Sequence, residues 1–143
     1  MRTIVFACVH NAGRSQMAAA FFNRYADPAQ ARAISGGTQP GAQVHPVVVE
    51  AMREAGIDLA SAQPRKLTPE LASGAELLIT MGCGEECPYV PGLQREDWPF
   101  PDPKGKDMET VRSIRDAIAG RVQELVREKG IGRSGASHAS TQG

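Results

Sequence analysis

Hydrophobic residues in this chain fall into two patterns, short unbroken runs and stripes at helical spacing, and the two alternate from the N-terminus onward. Residues 3–8, Thr-Ile-Val-Phe-Ala-Cys, are short and rich in β-branched side chains and predict a buried first strand. A Gly-containing turn follows. From Ser15 the spacing changes: Met17, Phe21, Phe22 and Tyr25 share one helical face until Asp27-Pro28 stops the helix. Residues 31–35 predict a second strand, ended by Gly36-Gly37. Pro46 suits the first turn of a helix whose apolar face is Val47, Val48, Ala51, Met52 and Ala55, with Gly56 at its end. Thr68-Pro69-Glu70 reads as a cap opening a short helix. Leu77 to Met81 is a continuous apolar run of the kind that fills buried parallel strands.

Residues 82–106 break the alternation. They are rich in Gly, Pro, Cys and charge and read as long functional loops, with a fourth short strand near 93–98. The last helix is expected from Met108 to Lys129, with Val111, Ile114, Ile118, Val122, Leu125 and Val126 as its buried stripe and Gly130 at its end. The Gly/Ser-rich stretch 131–143 has little to bury and is expected to be a disordered tail.

Strand and helix in alternation predict a single α/β domain over 1–130. The expected form is a three-layer sandwich: a four-stranded parallel sheet flanked by helices, with right-handed crossovers. Ligands in such folds bind beyond the carboxyl ends of the strands. Cys8 and the loop after Met81 both lie at such ends, so the two segments are expected to meet at one rim of the sheet.

Sixteen basic residues balance sixteen acidic ones, so an anion site must be local, and neither nucleic acid nor a membrane surface is an expected partner. No apolar run approaches the ~20 residues of a membrane span. The run Ile4 to Val9 is too short and poorly flanked for a signal peptide. The three cysteines, Cys8, Cys83 and Cys87, are too few and odd in number for a disulfide framework. A reducing cytoplasm is the expected setting, where cysteines serve catalysis or metal binding more often than cross-linking.

Cys8-Val9-His10-Asn11-Ala12-Gly13-Arg14-Ser15 carries the most chemistry. A cysteine ends a strand, five residues intervene, and an arginine precedes a helix. The N–H groups of such a loop converge with the helix N-terminus on one point and make an anion cradle. Arg14 adds a planar fork matched to a tetrahedral oxyanion. The same field favours the nucleophilic thiolate of Cys8. Ser15 can donate to that thiolate while capping the helix. His10 could tune Cys8 or simply face solvent. The alternative for the whole segment is a buried strand-end cysteine beside a surface arginine.

Asp102 has Pro101 and Pro103 on either side, which stiffens the loop enough to hold a general acid over the cradle; taken alone, Asp-Pro is also a common turn. Cys83 and Cys87, four apart after a strand, could be a redox pair or half a metal site. The other potential zinc ligands are Cys8, His10, His45 and His138, with no second ligand pair among them, so no metal is expected. A dithiol near a thiolate nucleophile fits thiol–disulfide exchange.

The Cys8-x₅-Arg14-Ser15 segment after an N-terminal strand, with a late Asp102-Pro103, resembles the low-molecular-weight protein tyrosine phosphatases. The fuller resemblance is to the arsenate reductases of the same fold and spans about residues 2–128. Its most specific parts are His10 to Ala18, Ile34-Ser35-Gly36-Gly37, Gly56-Ile57-Asp58, and Met81-Gly82-Cys83 with Cys87-Pro88, the last being absent from ordinary phosphatases of this fold. The resemblance implies that Cys8 attacks arsenate, with Arg14 and the amides of Val9 to Gly13 on its oxygens. Ser15 would stabilise the thiolate and Asp102 would protonate the leaving oxygen. Cys83 would then attack Cys8, and Cys87 would attack Cys83. The reductant is an external thiol, either a thioredoxin-like partner or a low-molecular-weight thiol, and no tightly bound cofactor is implied. Phosphate and sulfate would act as mimics. Some relatives bind potassium through an acidic residue on the following helix; Ala19 stands at that position here, although Asn11 and Ser35 remain, so weak binding or none is expected.

Two other functions fit the same residues. A phosphatase for phosphotyrosine or a small phosphoester would use the cradle and Asp102 equally well, with Trp98, Tyr89 and Phe100 to flank an aromatic ring. A non-enzymatic oxyanion or redox sensor could also keep the cradle.

Overall fold

The computed structural model describes residues 1–82 and 92–133. Among the described residues, four strands, β1 (Arg2–Cys8), β2 (Ala31–Gly37), β3 (Leu77–Thr80) and β4 (Gln94–Asp97), and four helices, α1 (Arg14–Tyr25), α2 (Pro46–Glu54), α3 (Pro69–Ala72) and α4 (Met108–Lys129), follow one another in the order β1-α1-β2-α2-α3-β3-β4-α4. The sheet order is β2-β1-β3-β4 and every pairing is parallel, as the pattern predicts. No helix among the described residues is long and apolar enough to cross a membrane.

Successive side chains of a strand face opposite layers. Ile4, Phe6 and Cys8 point to a core shared with Met17, Phe22, Met52, Ile118 and Val122, from α1, α2 and α4. Val5 and Ala7 point the other way, to a smaller cluster with Leu67, Ala72 and Leu78 under α3. Cys8 thus leaves the sheet on the side where α1 begins. Phe6 lies edge-on to both Phe22 and Trp98, with ring centres 6.2 and 5.6 Å apart.

β4 is an edge strand of polar residues, Gln-Arg-Glu-Asp, and stays largely exposed. Hydrophobic burial does not hold it. Instead Thr80 Oγ1 donates to Asp97 Oδ1 at 2.6 Å, and the Trp98 N–H reaches Thr80 O at 2.7 Å. At the opposite end of the sheet Glu76 binds Arg2 Nε and Lys129 Nζ, both at 2.9 Å, and so ties β1 to the end of α4.

Two local expectations need correction. Ser15 does not cap α1: Gly13 holds the N-cap position without a side-chain hydrogen bond, because the Ser15 hydroxyl is turned into the protein. The chain also stays packed past Gly130. Ile131 is buried, its carbonyl accepts from the Asp27 N–H at 2.7 Å, and the Arg133 guanidinium binds Arg24 O at 2.7 Å. One apolar residue in a Gly/Ser-rich stretch is enough to bury when the main core receives it. The remainder of the expected tail, 134–143, lies outside the described residues.

Candidate functional site

β1 delivers Cys8 to the carboxyl edge of the sheet, in register with Gly37 of β2. That pairing needs glycine. A Cβ at position 37 would lie 2.6 Å from Val9 O and 2.9 Å from Asn11 N, so only a bare Cα lets the 9–11 backbone cross the end of β2.

The loop is shaped from outside. Val9 O accepts from Gln39 N at 2.8 Å, His10 O from Gly41 N at 2.9 Å and Ala12 O from His45 N at 2.9 Å. Asn11 O accepts from Gln16 Nε2 at 3.1 Å. In a planar trans peptide the C=O and the following N–H point in opposite directions. Turning these four carbonyls outward therefore turns the N–H groups of His10, Asn11, Ala12 and Gly13 inward. Among the described residues no backbone carbonyl takes any of them. Such a concave set of N–H groups at a helix start, with no acidic residue in the first turn, suits a tetrahedral oxyanion.

Asn11 organises the floor. It is fully buried and adopts φ 51°, a conformation asparagine tolerates better than most residues. Its Oδ1 accepts from Arg65 N at 3.0 Å and from Gln16 Nε2 at 3.1 Å. Those donors fix the amide orientation and aim Nδ2 at Ser15 Oγ, 2.7 Å away. Ser15 Oγ lies 2.9 Å from Cys8 Sγ. Cys8 itself is buried.

Arg14 joins the cradle to the Asp102 loop. Its Nη1 donates to Phe100 O at 2.9 Å and its Nη2 lies 3.7 Å from Asp102 Oδ2, with the arginine side chain mostly buried. One donor is spent on Phe100, which leaves the rest of the guanidinium for an anion. Asp102 Oδ1 accepts from Lys104 N at 3.0 Å, a short turn that holds the half-exposed carboxyl beside Arg14. Pro103 packs over Gly13 so closely that a Cβ there would fall 2.9 Å from Pro103 Cγ. Cys8, Arg14, Ser15 and Asp102 thus gather at one rim with the amides of residues 10–13. The His10 side chain does not join them; its Nδ1 is 3.0 Å from Gln39 O. Cys83 and Cys87 lie outside the described residues, as does Tyr89.

Further roles at the site were not assigned from the sequence. Residues 39–45 template the loop, Arg65 orients Asn11 through its backbone N–H, and Phe100 anchors Arg14 through its carbonyl. His45 packs beside Gly13 at the rim. Burial pushes its imidazole below the ordinary range, while the nearby Asp102 carboxylate pulls it back up and Lys104 and His10 oppose its protonation. These groups act through backbone atoms or distant packing, which local patterns do not encode. Around Ser35, the Arg65 Nε donates to the strand carbonyl at 3.2 Å, so a guanidinium lies on one of the groups expected to remain for potassium.

Known proteins resemble this chain in sequence and in fold. A Halobacterium salinarum protein, provisionally assigned as an arsenate reductase, is 39% identical over 127 residues, covering 86% of this chain and 89% of its own. The solved structure of a thioredoxin-dependent arsenate reductase from Corynebacterium glutamicum superposes with a TM-score of 0.77 at 37% identity over 90% of this chain; the present chain spans 61% of that longer one. An arsenate reductase structure from Archaeoglobus fulgidus gives a TM-score of 0.72 at 30% identity, covering 86% of this chain and 98% of that one. The model of the family described as low molecular weight phosphotyrosine protein phosphatase matches residues 3–136, from the first strand to beyond the last helix, and the chain belongs to that family.

Proposed function

We propose that the chain reduces arsenate to arsenite, with Cys8 as nucleophile. The observation that carries the proposal is the Cys8 sulfur at the floor of an inward-facing set of N–H groups, 2.9 Å from the Ser15 hydroxyl. Arsenate sits with its oxygens on the amides of residues 10–13 and on Arg14. The Cys8 thiolate attacks arsenic, and Asp102 gives its proton to the departing oxygen, which leaves as water. Cys83 then attacks the Cys8 sulfur. An S–S bond forms, the S–As electron pair stays on arsenic, and As(V) leaves as As(III). Cys87 attacks Cys83 and releases the Cys8 thiolate. An external dithiol of the thioredoxin kind reduces the Cys83–Cys87 disulfide, a choice supported by the named dependence of the Corynebacterium relative. The chemistry requires a reducing compartment, for which the cytoplasm is the natural setting.

The phosphotyrosine reading loses one of its three candidate ring partners. Trp98 is only 4% exposed, packed between Phe6 and the Arg121 guanidinium, whose Cζ is 4.4 Å from the ring centre. It cannot stack on a substrate.

The test is arsenate-dependent oxidation of a thioredoxin system, run beside hydrolysis of an aryl phosphate, with wild type and Cys8→Ser. Disulfides are mapped after one turnover in Cys83→Ser and Cys87→Ser. Cys8→Ser should abolish reduction and Cys87→Ser should accumulate Cys8–Cys83. Phosphoester hydrolysis without arsenate turnover would replace this reading with a phosphatase. Normal turnover of both variants on a small thiol would leave Cys8 as the sole working cysteine.

A further inference from the structure

Gly82 is the residue at which β3 hands the chain on towards Cys83, and it lies against Arg14. Its φ is +96°. A Cβ built on it would overlap Arg14 Nη1 and would come within 3.2 Å of Cζ and 3.6 Å of Nη2. The backbone at this point has little room to retreat. Met81 is fully buried, and its N–H is held by Ala7 O at 2.7 Å. The guanidinium, at the end of a long side chain, is the part that would yield. Yielding would move it off Phe100 O, its 2.9 Å partner, and away from Asp102.

We propose that Gly82 is a positioning residue for Arg14: the bare Cα is the seat that sets where the guanidinium fork stands over the cradle. Three contacts from distant parts of the chain then define the fork. Gly82 limits it on the sheet side, Phe100 O holds Nη1, and Asp102 faces Nη2. A methyl group at 82 would leave the charge of Arg14 in place but spoil the paired geometry that a tetrahedral oxyanion needs. The inference rests on the oxyanion site proposed above and adds the determinant of its one charged ligand.

Inorganic phosphate binding, measured by calorimetry, tests it without reference to turnover. Gly82→Ala should raise the phosphate dissociation constant about tenfold or more, the loss expected when a charge-assisted hydrogen bond is misaligned. Gly74→Ala supplies the control for backbone strain: Gly74 has φ +83° but open space where a Cβ would go, so its phosphate affinity should match wild type. In an Arg14→Lys background, where the fork is already lost, Gly82→Ala should cost nothing further. Gly82→Asn, whose side chain tolerates positive φ better, should reproduce the loss if Gly82→Ala does not fold. Wild-type affinity in both position-82 variants would overturn the inference, as would an equal loss in the Arg14→Lys background or in Gly74→Ala. Failure of the wild-type protein to bind phosphate would bring down the oxyanion site itself, and this inference with it.

Discussion

The Ser15 hydroxyl and the Cys8 sulfur stand 2.9 Å apart, and a Cys8 thiolate can only accept there, from the Ser15 hydrogen. Arg65 N–H occupies Asn11 Oδ1, so Asn11 presents its NH₂ to Ser15 Oγ; the oxygen accepts there and has its own hydrogen left for Cys8. Ser15→Ala removes the donor nearest the sulfur. Alkylation of Cys8 by iodoacetamide near neutral pH should slow about tenfold. Equal rates near neutrality would show that Ser15 does not hold the thiolate.

Asn11→Asp is nearly isosteric but reverses the chain. A carboxylate cannot donate to Ser15 Oγ, so the serine hydrogen turns to residue 11 and Cys8 loses its donor, with a negative charge added nearby. Cys8 alkylation in this variant should be slowed at least as much as in Ser15→Ala, while circular dichroism stays native. A faster reaction than Ser15→Ala would mean that the hydrogen-bond direction is not what matters.

Asp102→Asn separates binding from chemistry. Arg14 would lose the carboxylate 3.7 Å from its Nη2, so phosphate should bind as tightly as before or more tightly. Arsenate turnover should fall by about a hundredfold or more, the usual contribution of a positioned acid. Parallel losses in both measurements would assign Asp102 to holding Arg14 rather than to proton transfer.

Much of this fold is legible in the chain itself. The stripe in 108–129 and the run in 77–81 specify α4 and β3 because burial is periodic in helices and continuous in parallel strands. The Cys8 segment is legible for a similar reason: its residues are neighbours in sequence as well as in space. What the chain conceals is contact between distant segments. Phe100 O meets Arg14 across 86 positions, and Arg65 N meets Asn11 across 54, in both cases through a backbone atom that any residue type could supply. Ser15 misleads for a related reason. Its position suits a cap, but a buried sulfur and an amide compete for the same hydroxyl and win it.

Glu76 makes a prediction about acid. Hydrogen bonds from Arg2, and then from Lys129, pull its carboxyl from 4.5 down to about 2, against the opposing effect of burial. A carboxylate depressed by folding stabilises the native state fully above its unfolded value and loses that contribution as pH falls through the folded one. Glu76→Gln should therefore melt a few degrees lower than wild type at pH 7, a modest loss because the pair is partly exposed. The gap should narrow between pH 4.5 and about 2. A gap of constant size across that range would assign the loss to packing instead.

The outward anchoring of the loop by Gln39, Gly41 and His45 bears on how this site could be transplanted. The eight residues from Cys8 to Ser15 look like a portable cassette, yet their curvature is imposed by a mould that lies about thirty residues downstream in the chain. Grafted alone onto another strand–helix junction, the cassette would be free to point its carbonyls inward and would repel an anion. The transferable unit is the pair of segments, 8–15 together with 37–45, mounted on two adjacent parallel strands. Lengthening or shortening the second segment, with every residue of the first untouched, would alter the curvature of the loop that those three N–H groups hold.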